Sequence, residues 1–106
     1  MRREVLEETG LTLTKIWGEE TAVYTQIGAV TTLSFTSFCT TQNLSGAYSI
    51  ILHTFLCEAE GSLSPKTNET ENVHWVKTTE IAQLLHDTPE KIFFMHINSL
   101  KQYLHL

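Results

Sequence analysis

The sequence predicts an α+β fold on three observations. A charged, helix-forming run opens the chain, a β-branched middle follows with period-two patterning, and two amphipathic stretches close it. At 106 residues it is one domain or a piece of one. Its 42% hydrophobic and 18% charged residues are the balance of a globular chain.

Residues 1–9 read as helix, because Met, Arg, Glu and Leu are good helix formers and neither Pro nor Gly intervenes before Gly10. Gly10 then ends the helix, since glycine takes the left-handed position after a helix cheaply. No Ser, Thr, Asp or Asn cap precedes the charged turn. From Leu11 the period becomes two: Leu11, Leu13 and then Lys15 alternate with Thr12, Thr14 and Ile16, and lead through Trp17 to a turn at Gly18. Residues 21–26 and 29–40 are rich in Thr, Val and Phe and read as strands separated at Gly28. A polar turn at 42–46 precedes 47–58, the strongest strand, apolar on both faces as a strand near the centre of a sheet should be. Residues 61–72 form a polar loop containing Pro65, and 73–76 a short strand. Residues 79–86 and 89–103 read as two closing helices, the second with Ile92, Phe93, Met95, Ile97 and Leu100 for an apolar face.

Composition excludes several classes of function. No apolar run approaches the roughly 18–20 residues needed to span a bilayer, and the longest is broken by Ser49, His53 and Thr54. The opening Met1-Arg2-Arg3-Glu4 leads into an acidic helix, so no secretory signal is expected and the cytoplasm is the expected location. A formal charge of −5 with scattered Lys and Arg speaks against nucleic acid as a main partner. The same charge means that a phosphate-bearing ligand would call for a metal ion to offset repulsion. Cys39 and Cys57 lack metal-ligand spacing and fall in expected strands, which predicts buried free thiols. The five histidines have no spacing that suggests a zinc site. Trp17, Tyr24, Phe35, Phe38 and Tyr48 read as core residues, although a base-stacking role is open to any of them.

The chemistry concentrates in the first helix. Glu4, Glu7 and Glu8 stand at i, i+3 and i+4, which puts three carboxylates on one helical face. They lie close to the helix C-terminus, where the dipole disfavours negative charge. A divalent cation would turn this repulsion into coordination, and hard oxygen donors suit Mg²⁺ or Mn²⁺. Arg3, four residues before Glu7, is placed to pair with it, and Val5 points away from the acidic patch. From the charges alone, a solvated acidic face is the competing reading.

The order of residues adds a resemblance. Arg3-Glu4-Val5-Leu6-Glu7-Glu8-Thr9-Gly10-Leu11 satisfies all seven fixed positions in the second half of the Nudix box, G-x5-E-x7-R-E-U-x-E-E-x-G-U, where U is a bulky aliphatic residue. The chain therefore resembles the Nudix hydrolases. Further on, Glu71-Asn72-Val73-His74-Trp75-Val76 followed by Thr79-Glu80-Ile81 is similar to the acidic loop, Trp-containing strand and helix start of many Nudix domains.

This resemblance implies an α/β/α sandwich, a mixed β-sheet flanked by helices. The first half of the box and the family's opening strands would lie before Met1, so residues 1–106 are expected to be a partial Nudix domain truncated at its amino-terminal side. The implied activity is Mg²⁺-dependent hydrolysis, with Mn²⁺ as an alternative ion, of a pyrophosphate bond in a nucleoside diphosphate linked to another group. A small nucleotide-type molecule would be the substrate. By motif position Glu4, Glu7 and Glu8 would be the metal ligands and Arg3 an orienting partner. The general base would be Glu4 or a loop acid, Glu69 or Glu71, whose plain alternative is a solvent-exposed acid. Gly10 is structural. Two other classes stay open: a Nudix-like nucleotide-binding module without catalysis, and a truncated inactive remnant. Self-association into a homo-oligomer through an open sheet edge is a further expectation.

Overall fold

The structure, a computed structural model, describes residues 1–64 and 72–106. Among these residues, helices α1 Arg2–Thr9, α2 Thr78–Asp87 and α3 Ile97–Leu104 accompany six strands: β1 Thr12–Ile16, β2 Val23–Ile27, β3 Val30–Ser34, β4 Cys39–Gln42, β5 Ile51–Thr54 and β6 Cys57–Glu60. The class is α+β, as the sequence predicts. Among the described residues the strands pair in twos, β1 with β6, β2 with β3 and β4 with β5, all antiparallel, in place of one mixed sheet. The chain divides into two compact units, Met1–Ser37 with Phe55–His74, and Phe38–Thr54 with Trp75–Leu106.

In the first unit α1 hands the chain directly to β1. The Thr9 hydroxyl donates to the Val5 carbonyl at 2.6 Å and accepts from the Leu11 amide at 3.1 Å, which turns the backbone out of the helix. Leu11, Leu13 and Ile16 are buried, each worth about 1.5–3 kcal/mol relative to exposure. Strict alternation would have set Lys15, not Ile16, beside Leu13. A β-bulge corrects the phase: Leu13 faces Ala59 and Lys15 faces Glu58, with Thr14 the extra residue between them. Lys15 instead lies over the Trp17 ring, its Nζ 4.2 Å from the centroid.

Strands β2 and β3 form a hairpin in which Ile27 pairs with Val30 across Gly28-Ala29. Gly28 has φ 61° and Ala29 does not share the positive φ, the pattern of a II′ turn. Every residue of both strands is exposed.

The second unit holds the β4–β5 hairpin, with Cys39 paired to Thr54 and Gln42 to Ile51. Its loop is organised by Asn43, whose Nδ2 donates to the carbonyls of Ser45 and Tyr48 while Oδ1 accepts from the Ser45 amide. Leu85 of α2 is buried, as are Cys39, Met95 and Ser99, where α3 and the 3₁₀ turn Phe94–His96 pack on β4.

Several expectations need correction. The strand 47–58 is divided: β5 pairs with β4 and β6 with β1, and between them Phe55 packs on Phe35 at 5.1 Å while the Leu56 carbonyl accepts from the Trp17 amide. The strand 29–40 is divided likewise into β3 and β4. Residues 73–76 are not in a strand. The last helix starts late, because Ile92 at φ −100°, ψ 137° is extended, and Phe93 and Phe94 are exposed. Cys57 is exposed and only Cys39 buried, both as free thiols. Trp17, Tyr24 and Tyr48 are exposed rather than core residues.

Candidate functional site

The acidic face sits on α1, whose eight residues are all at least partly exposed. Gly10 closes the helix as expected, at φ 78° and ψ 3°, its amide donating to the Leu6 carbonyl at 2.9 Å. A side chain at Gly10 has no room, since its Cβ would fall 2.5 Å from Ser64 Oγ and 3.1 Å from the Ser62 carbonyl. The Ser64 amide also donates to the Thr9 carbonyl at 2.7 Å. The chain thus enters the loop after β6 against the C-terminal end of the acidic helix.

On that helix Arg3 serves two carboxylates. Its Nη2 is 3.5 Å from Glu4 Oε1 and its Nε 3.8 Å from Glu7 Oε1, the second being the i, i+4 pair that the sequence predicts. Glu4 has a further partner, the Met1 ammonium at 2.9 Å from Oε2, and that contact holds its carboxyl below the usual range. The side chains of Glu4 and Glu7 are about half exposed, at 54% and 50%.

Glu4, Glu7 and Glu8 therefore share a face and supply hard carboxylate donors, the right kind for Mg²⁺ or Mn²⁺. Their oxygens do not converge: among the described residues no group of three or more His, Cys, Asp or Glu is arranged to hold a metal ion. The donor set fits in kind, and the exposed arms would have to swing together to close a site. Glu69 and Glu71 lie outside the described residues.

The sequence reading missed Arg2. Its guanidinium grips Glu19 with two hydrogen bonds, at 2.5 and 2.9 Å, tying the first turn of α1 to the 3₁₀ turn Glu19–Thr21. This pairing raises Arg2 and lowers Glu19 from their ordinary ranges. The turn depends on Gly18, at φ 96°, where a Cβ would fall 2.3 Å from the Thr36 carbonyl. The available signal was a pair of acids, Glu19 and Glu20, directly after a glycine turn.

Comparison with known proteins agrees with the motif. The family model of the NUDIX domain matches residues 1–96, and the chain belongs to that family. No curated protein and no solved structure matches the chain. Among the described residues no helix is long and apolar enough to cross a membrane.

Proposed function

We propose that the chain is a Nudix pyrophosphohydrolase, acting with Mg²⁺ or Mn²⁺ on a nucleoside diphosphate linked to another group. The observation that carries this reading is the run from Arg3 to Leu11, complete in sequence, helical through Thr9 and closed by a left-handed Gly10. Glu4, Glu7 and Glu8 would hold the ion, which when bound supplies charge neutralisation at the phosphoryl oxygens. Arg3, close to both Glu4 and Glu7, keeps their carboxylates oriented. Water forms the new P–O bond, the bridging P–O bond breaks, and a carboxylate takes the proton. Glu4 is one candidate for that base. Glu69 and Glu71, which follow Ser64 in the sequence, are the others.

A second reading, nucleotide binding without turnover, is favoured by one observation. Among the described residues the carboxylates of Glu4, Glu7 and Glu8 do not come together as a group that could hold a metal ion. A panel of pyrophosphate compounds separates the two readings: sugar nucleotides, ADP-ribose, dinucleotide polyphosphates and nucleoside triphosphates, each with and without Mg²⁺. We expect metal-dependent release of phosphate-containing product, and a fall of orders of magnitude in turnover for Glu8→Gln. A large loss in only one of Glu69→Gln and Glu71→Gln would identify a loop base, and little loss in either would return that role to Glu4. Nucleotide binding without turnover would establish the second reading, and unchanged turnover in Glu8→Gln would remove the proposed mechanism.

A further inference from the structure

Independently of the hydrolase reading, we propose that the outer edge of β2 is a self-association surface, on which a second copy of this chain adds its own β2 in antiparallel pairing. The β2–β3 hairpin pairs with no further strand among the described residues, and both of its strands are exposed throughout. Val23, Tyr24, Ile27, Val30 and Leu33 are all large and exposed, Tyr24 at 74% and Ile27 at 77%. Natural sheet edges are ordinarily guarded by charge, proline or a bulge. This one has none: residues 21–57 contain no Asp, Glu, Lys, Arg or Pro, and the β2–β3 register runs without a shift.

The absence of charge also selects the occupant. A nucleic acid or an anionic lipid surface would find no Lys or Arg here, and a charged peptide would find no counter-charge. A second copy offers the same uncharged edge, while all twelve acidic and seven basic residues of the −5 chain lie outside this segment.

The register is self-complementary. Ile27 and Val30 flank a two-residue turn, so they are a hydrogen-bonded pair, and Val23, Thr25 and Ile27 direct their backbone groups to β3. Tyr24 and Gln26 direct theirs to the open edge. Two β2 strands related by a two-fold axis at Thr25 then set Tyr24 against Gln26 of the second copy, with both backbones correctly aimed. On the Thr25 face, the same register sets Val23 against Ile27 of the second copy, next to Val30. The β3 edge is the poorer choice, since centring on Thr32 would set Val30 against Ser34 and Thr31 against Leu33.

Analytical ultracentrifugation of the full chain from about 1 to 100 μM, a range set by typical non-obligate affinities, tests this. We expect a reversible monomer–dimer equilibrium. Thr25→Lys and Thr25→Glu each place like charges across the axis and should weaken dimerisation by about tenfold or more. Mixing the two variants should restore the dimer, because opposite charges then meet, and variants that had failed to fold would not show this rescue. A wild-type chain that stays monomeric would overturn the proposal, as would a mixture that stays monomeric. Undiminished dimerisation of both single variants would move the contact elsewhere, for instance to the exposed Phe93 and Phe94, and overturn it equally.

Discussion

The arginines at positions 2 and 3 look alike in the sequence and do different work. Arg3 bridges Glu4 and Glu7 within the helix, a contact legible in advance because i, i+4 spacing requires only the helix. Arg2 reaches Glu19, 17 residues on, and that contact forms only after β1 and the Gly18 turn have brought the chain back. Local patterning carries no record of such closure. The pair has a pH signature. Its hydrogen bond lowers the Glu19 carboxyl from an ordinary value of 4.5. A carboxylate lowered in the folded state stabilises above its unfolded value, and that contribution is lost as pH falls through the folded value. The Glu19 side-chain carbonyl, followed by NMR, should therefore titrate below 4.5. Arg2→Met should move the midpoint up toward that value, and an unmoved midpoint would show that the pair does not form in solution. Both partners are largely exposed, so added salt should reduce the shift.

At the scale of elements, ends were read better than middles. The stop of α1 at Gly10 and the turn at Gly28 each follow from a residue with a strong local preference. The apolar runs 29–40 and 47–58 have no such punctuation, and hydrophobicity alone cannot mark where a strand leaves one partner for another. In the structure those changes fall where Phe35 and Phe55 turn aside to pack on one another. The closing helix starts later than expected for a related reason: Phe93 and Phe94 count as apolar in a periodic pattern yet are exposed, directly after an extended Ile92. For the candidate site, the helix, its acidic face and the Arg3–Glu7 pair were legible. The actual directions of the carboxylates were not, because exposed rotamers answer to neighbours such as the Met1 ammonium.

For the whole molecule, the balance of buried and exposed apolar surface is the governing quantity. Among the described residues the first unit buries Leu11, Leu13 and Ile16 and the second buries Cys39, Leu85 and Met95, while many large apolar side chains stay exposed. With net stability of a domain this size only about 5–15 kcal/mol even in favourable cases, so small a buried set predicts a weak fold. We expect a melting midpoint at or below about 45 °C, the low end for mesophilic domains, together with binding of the dye ANS. A sharp transition above about 65 °C without dye binding would contradict this.

The extra residue in β1 has a consequence for how the chain tolerates changes in length. Thr14 has no counterpart on β6, so removing it leaves Leu13 opposite Ala59, Lys15 opposite Glu58 and Ile16 opposite Cys57. Leu13 and Ile16 would also keep the same face, two positions apart in a regular strand. Elsewhere in a half-buried strand the loss of one codon inverts every side chain beyond it. Here it would merely restore a plain ladder. A chain lacking Thr14 should melt with nearly the same midpoint as the parent. Loss of Thr40 from the regular β4, which holds the buried Cys39, should lower the midpoint clearly. Equal damage from both deletions would mean that the bulge is itself required.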